Sequence, residues 1–544
     1  MGAKVTRWQG RVPLFIGVVG HRRLDPAERQ EVERRVRVFF EGLRTQLPAT
    51  PIVVLSRLGG DADRLVASAA LATGCESACL LPLEAAPYRS TLRTDADRIA
   101  FDRLLEASVV LRFPGAVGPG GDVERAYAEA GYYIARHTTL LLALWDGVES
   151  NRSGSVGDLI GHRLASHLDH RDPTLCQLRV RTSERLGPHR GRPEGGLSPR
   201  EAIHACGWRN AEKFNASLSA AAGPELAHAL GPFADVPDER VIEVATVCRA
   251  ASRNAAHLRS TVRRCAVLLQ SIAFFAAIAF GAFLKFSSRA WILWIYLALL
   301  ASALAVRSLV HRRALYRRYL EYRGLAEGLR VALFWRIAAG GRHANSDESA
   351  LPLIGGPGDA ALGWIGAALT ALDGWMGRAA FPESFDGCEF AARHWFGGKK
   401  GGDPRAQIPY YRDSAGRLRR LAARVDRLVN VTLITGVASA ALLAVLPAAW
   451  SARVSPILMA VMGFMPLVSG TASAAVDVPA EQELARQYER MEHLLTSAAQ
   501  RLAAANSAAE RERILFEAGV ATLAEQRIWL AVVGQRAPRG HRRT

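Results

Sequence analysis

Three glycine-bearing segments carry the side chains suited to hold an anion. The first reads Gly17-Val-Val-Gly20-His21-Arg22. The second is Ser56-Arg-Leu-Gly-Gly60-Asp61-Ala-Asp63-Arg64. The third runs from Trp145-Asp146-Gly147 to Ser153-Gly154-Ser155-Val156-Gly157-Asp158. Glycine lets backbone N–H groups approach a phosphate closely, and a helix N-terminus beside it supplies partial positive charge. His21, Arg22 and Arg64 add charge-assisted donors, so Arg22→Ala and Arg64→Ala are each expected to weaken phosphate binding by about 1.5–3 kcal/mol. Gly17, Gly20, His21, Arg22, Ser56, Asp63, Arg64, Trp145, Asp146, Gly147, Gly154, Ser155 and Asp158 form the candidate ligand site. No residue is assigned a catalytic role. A hydrolytic alternative needs a carboxylate against the scissile bond, for which Asp146 and Asp158 are the candidates.

What must position these loops is a sheet. Short apolar runs at 12–19, 52–55, 78–81, 109–113 and 139–145 alternate with helical patterns at about 26–46, 62–73 and 122–136. Continuously apolar strands alternating with helices indicate a parallel sheet covered on both faces. Such sheets take ligands at the carboxyl ends of their strands, where the strand order switches. All three segments fall at strand ends. Pro119-Gly120-Gly121-Asp122 is a second glycine turn, but the loop after Trp145 is the better anion loop.

The order GVVGHRRL, LSRLGGDADRLVASAAL, LLPL, Tyr88, AYAEAGYYI and LLALWDG resembles the SLOG domains, relatives of the DprA and LOG proteins, over roughly residues 12–170. The resemblance implies a Rossmann-like α/β domain that binds a nucleotide-derived ligand; LOG-type members hydrolyse nucleotide N-glycosidic bonds. Where family members often carry Glu-Gly-Ala-Asp-Arg, this chain has Gly60-Asp61-Ala62-Asp63-Arg64, and Gly154-Ser155-Val156-Gly157-Asp158 replaces a common Gly-Gly-Thr-Ala-Glu. A lost hydroxyl at Val156 and a shorter acid at Asp158 fit anion binding better than hydrolysis.

The rest of the chain is greasy and basic. Of its 544 residues 49% are hydrophobic, and a net charge of +18 with pI ≈ 10.2 accompanies a mean hydropathy of +0.05. That combination excludes a disordered chain and points to membrane segments with basic flanks. Windows 265–284, 290–306, 428–452 and 454–476 contain no charged residue. Each approaches or exceeds the ~20 residues that cross a bilayer core, and they form two hairpins. Residues 307–330 hold seven arginines against two glutamates, and 412–427 hold six arginines. The intervening turns keep only Lys285 with Arg289, and Arg453. Basic flanks stay inside, so both termini and the 307–427 segment are expected in the cytoplasm of a multi-pass cell-membrane protein. The positive charge then serves anionic lipid, and no nucleic-acid partner is expected.

Within the spans, Ala273, Ala277 and Gly281, and Gly436 with Ala440, recur at four-residue spacing, a pattern that brings neighbouring helices close and suggests a homo-oligomer. Pro466 is expected to kink the fourth span. No charge lies inside any span, which argues against a transporter or proton relay. The phrase Arg323-Gly-Leu-Ala-Glu-Gly-Leu-Arg-Val-Ala-Leu-Phe-Trp335 resembles the SLATT region, a membrane effector partnered with SLOG sensors in bacterial conflict systems, across about 250–530. That resemblance implies a sensor–effector of antiviral defence. The expected segments are 1–175 (sensing domain), 176–262 (linker and connecting helix), 263–340 (first hairpin and cytoplasmic helix), 341–410 (cytoplasmic loops), 411–478 (second hairpin) and 479–544 (C-terminal helices). Seven scattered cysteines suggest neither a disulfide framework nor a metal site, and no cofactor is expected beyond the ligand itself.

Overall fold

The computed structural model describes residues 7–112, 122–148, 152–165, 174–180, 198–218, 225, 230–285, 289–340, 363–377, 381–397, 406–445, 448–475 and 478–535. Residues 119–121 of the second glycine turn, the linker 181–197, and loop residues 341–362 and 398–405 lie outside them. Two compact units divide the chain. One joins Met1–Arg253, Glu321–Cys388 and Gly519–Val532; the other joins Asn254–Leu320, Glu389–Ala518 and Val533–Thr544.

The first unit is built on a sheet of six strands: β1 (Leu14–Gly20), β2 (Ile52–Ser56), β3 (Glu76–Leu81), β4 (Val109–Arg112), β5 (Leu140–Trp145) and β6 (Leu175–Arg179). All neighbours are parallel, in the order β4-β3-β2-β1-β5-β6, so the order switches between β1 and β5. The helices among the strands are α1 (Arg29–Gln46), α2 (Asp61–Ala72), α3 (Ala85–Ser90), α4 (Asp95–Glu106), α5 (Val123–Arg136) and α6 (Val156–Ala165). α7 (Pro199–Ala205) and α8 (Arg209–Ala216) follow β6. Every side chain of β1 and β2 is buried, as continuous apolar strands under two helical layers require. Five strands were expected. β6 reads Leu-Cys-Gln-Leu-Arg, too short and mixed a run to stand out, and pairing with β5 makes it a strand. The α3–α4 pair was also unforeseen; α4 starts with a capping box in which Thr94 and Asp97 exchange hydrogen bonds.

The chain then continues as α9 (Glu239–Lys285), α10 (Ala290–Arg312), α11 (Leu315–Ala339), α12 (Gly363–Met376), α13 (Gly387–Ala391), α14 (Gln407–Val445), α15 (Ala448–Ala475), α16 (Val478–Ala504) and α17 (Ala508–Gln535). Four stretches, within 239–283, 290–339, 407–445 and 454–473, are long and apolar enough to cross a membrane. Their apolar windows are at most 11% buried, so those side chains face outward. Such extended exposed apolar surface suits lipid. Phe280 meets Tyr296 across the first helix pair at 5.5 Å between ring centroids, while α14 and α15 pack along each other. The second turn lies earlier than Arg453 suggests. α14 ends at Val445 and α15 starts at Ala448, so Arg453 sits inside α15. α15 runs unbroken through Pro456 and Pro466.

Within the first unit α12 is buried on almost every side. The Trp375 ring packs on Trp8 and Phe15, and its Nε1 donates to Glu243 of α9 at 2.8 Å. Asp373 takes a two-pronged bond from Arg336 of α11 at 2.8 and 2.6 Å. From α5, Tyr133 donates to the Gly374 carbonyl at 2.7 Å. His137 at the end of α5 contacts the Thr370 carbonyl, and burial pushes its pKa down to about 4, so the ring is neutral.

Candidate functional site

A cleft opens at the carboxyl ends of β1 and β5, where the strand order switches. Its volume is about 170 Å³. Gly20, His21 and Arg22 enter from β1, Arg57 from β2, Glu124 and Tyr127 from α5, and Trp145 and Val148 from β5. Arg152 and residues Ser153 to Gly157 complete the wall at the start of α6. The first amides of a helix have no partner in their own helix, so this end of α6 presents donors and partial positive charge.

Six of the sequence-selected residues line this cleft: Gly20, His21, Arg22, Trp145, Gly154 and Ser155. His21 Nε2 lies 3.1 Å from the Asp146 amide and 3.2 Å from its Oδ1. Unprotonated at that nitrogen it accepts from the amide; protonated, it donates to the carboxylate. Asp146 also caps its own turn by accepting from the Val148 amide at 3.1 Å, and Gly147 supplies the positive φ (+84°) that the turn needs. The Asp158 carboxylate accepts from the Gly154 amide at 2.8 Å and from the Tyr132 hydroxyl. Both candidate catalytic acids therefore serve to shape loops. Gly154, at φ +72°, passes so close to α5 that a Cβ there would stand 2.6 Å from Ala128. Gly17 lies within β1 against Thr138 and Ile134, away from the cleft.

The loop after β2 behaves otherwise. Arg64, 7% exposed, donates to Asp61 at 2.7 Å, to Asp97 at 2.6 Å, and to the Gly59 carbonyl at 3.2 Å. Both terminal nitrogens of its guanidinium are engaged in holding α2 to α4 and to the loop before α2, and Arg64 does not line the cleft where the phosphate contact was expected. Asp63 and Ser56 are wholly buried and do not line the cleft. Burial pushes the Asp63 carboxyl up against the pull of Arg57.

No protein-family model, curated protein or solved structure matches this chain.

The charged cleft residues Arg57, Glu124 and Arg152 and the ring of Tyr127 escaped the sequence reading. Arg57 is the most telling. It is 1% exposed, its guanidinium carbon lies 3.9 Å from the centre of the Tyr127 ring, and it donates to the Tyr127 carbonyl at 3.1 Å. Arg22 covers the same ring at 4.5 Å. Burial disfavours the Arg57 charge, but the neighbouring Tyr127, Asp63 and Tyr88 groups outweigh it, and the net direction is up. A permanent cation thus sits on the cleft floor, where a low local dielectric strengthens its attraction for an anion. Its place as the first charged residue beyond a buried strand was the available signal. Among the described residues no cluster of His, Cys, Asp and Glu has a metal-holding arrangement, and all seven cysteines are free thiols.

Proposed function

We propose that this chain is a membrane-embedded sensor–effector whose sheet unit binds a nucleotide-derived ligand at the β1/β5 cleft. The observation that carries the reading is a buried cation, Arg57, beneath a mouth flanked by Arg22, Arg152 and the start of α6. An aromatic wall of Trp145 and Tyr127 beside these cations suits a ring attached to phosphate. The membrane helices are the responding part. α9 is one helix of 47 residues that contains the first apolar span.

The arginine-rich flanks favour both termini inside the cell membrane and the short turns outside. At Gly281 no heavy atom lies within 4 Å of the site a Cβ would take, which leaves the small-residue face open to a second copy. Helix association that opens or disrupts the bilayer is the output in this scheme, and the SLOG–SLATT resemblance assigns it to conflict defence. The hydrolase alternative is disfavoured because Asp146 and Asp158 are engaged in their own loops.

The test uses the full chain in liposomes loaded with dye. Nucleotides that raise its unfolding temperature should also trigger leakage, and Arg22→Ala should weaken that binding by more than about tenfold, in line with about 1.5–3 kcal/mol. Release of free base from nucleoside monophosphates, or ligand-independent leakage, would overturn the reading.

A further inference from the structure

The two arginines at the cleft mouth are held by one carboxylate. Arg22 Nη1 stands 3.7 Å from Glu124 Oε1, and Arg152 Nη2 donates to Glu124 Oε2 at 2.8 Å. The three side chains come from three places: the loop after β1, the segment before α6, and the first turn of α5. All are at least half exposed, so water and salt screen the pairs, and such bridges are readily exchanged. Beneath them Arg57 is 1% exposed, lines the same cleft, and has an Nε with no hydrogen-bond partner. Among the described residues no carboxylate forms an ion pair with it. The mouth therefore already holds an anion of the protein's own, above a fixed cation that this anion does not neutralise.

We propose that Glu124 is an internal stand-in for a ligand's terminal phosphate, occupying Arg22 and Arg152 until a dianionic phosphate displaces it and reaches Arg57. This rests on the cleft being the ligand site proposed above. Charge sets the selectivity. A phosphomonoester near pH 7 carries −1.5 to −2 and a diester −1, while the displaced carboxylate carries −1. A diester replaces Glu124 charge for charge. A terminal phosphate brings surplus charge for Arg57 and offers oxygens to two guanidinium groups at once. The site accordingly favours nucleotides ending in a free phosphate over cyclic or bridged diesters, and the carboxylate sets the threshold concentration at which they enter.

The experiment titrates the full chain in detergent, at fixed ionic strength, with inorganic phosphate, adenosine 5′-monophosphate and adenosine 3′,5′-cyclic monophosphate. The open monophosphate should bind at least tenfold tighter than its cyclic diester. Glu124→Gln should tighten phosphate and the monophosphate three- to tenfold, a gain that no folding defect produces, whereas Arg57→Met should abolish both. Nucleotide binding that Glu124→Gln leaves unchanged or weakens, or equal affinity for the two nucleotides, overturns the stand-in while the sensor reading stands. A Glu124→Gln gain for inorganic phosphate, with no nucleotide bound better than phosphate itself, supports the stand-in and removes the nucleotide reading. Failure of both proteins to bind any of the three overturns both.

Discussion

After β2 the chain reads Ser56-Arg57-Leu58-Gly59-Gly60-Asp61-Ala62-Asp63-Arg64; after β5 it passes Asp146-Gly147 and reaches Ser153-Gly154-Ser155. Both segments end at a helix start and both are rich in glycine and polar groups. The first closes on itself: Arg64 answers Asp61 and Asp97, the Asp63 side chain of α2 is wholly buried, and Tyr88 and Tyr127 are buried beside it. The second stays open, with its polar atoms arranged around a cavity. What separates them is the count of charges that find internal partners. The segment after β2 carries one acid, Asp61, at the spacing that captures Arg64, α4 adds Asp97, and only Arg57 is released to the cleft. A charged motif at a strand end marks a ligand site only after its internal pairs have been subtracted.

The contrast can be broken most forcefully at Asp63. Asp63 is wholly buried and its charge acts on Arg57, so Asp63→Ala should destabilise the sheet unit by about 3 kcal/mol, read as a lower unfolding temperature, by removing that attraction from a buried cation. Arg64→Ala should cost about 2 kcal/mol through lost charged hydrogen bonds, yet leave anion affinity unchanged. A fall in affinity there would return Arg64 to the ligand site and dissolve the contrast between the loops. Gly154→Ala sharpens the other side. Forcing a Cβ onto a backbone at φ +72° against Ala128 should cost about 1–2 kcal/mol and displace the start of α6, so phosphate binding should fall with it.

The sequence made the sheet legible because buried parallel strands leave uninterrupted apolar runs; all five expected runs are strands, and the switch between β1 and β5 lies where the loops with His21 and Trp145 converge. The four membrane-length helices were equally plain, since their signal is the mere absence of charge over some twenty residues. β6 and α3–α4 were not, because short mixed segments acquire their structure from partners distant in sequence. The site was legible in its backbone but misjudged in its cations. Arg64 looks available and is paired, whereas Arg57 sits next to Ser56 in the same motif and faces the cavity. Pairing with Asp97, 33 positions away, is a tertiary fact that no local pattern announces.

The environment of α12 gives the molecule a lever. α5 bears Tyr127 and Glu124 at the cleft end and Tyr133 at the far end, where it grips Gly374; α12 in turn grips Glu243 of α9 and Asp373 grips Arg336 of α11. Both partners belong to the same compact unit as the sheet. A fraction of an ångström of tilt in α5 would therefore reach Glu243 and Arg336 together through α12, as a single displacement inside the sheet unit.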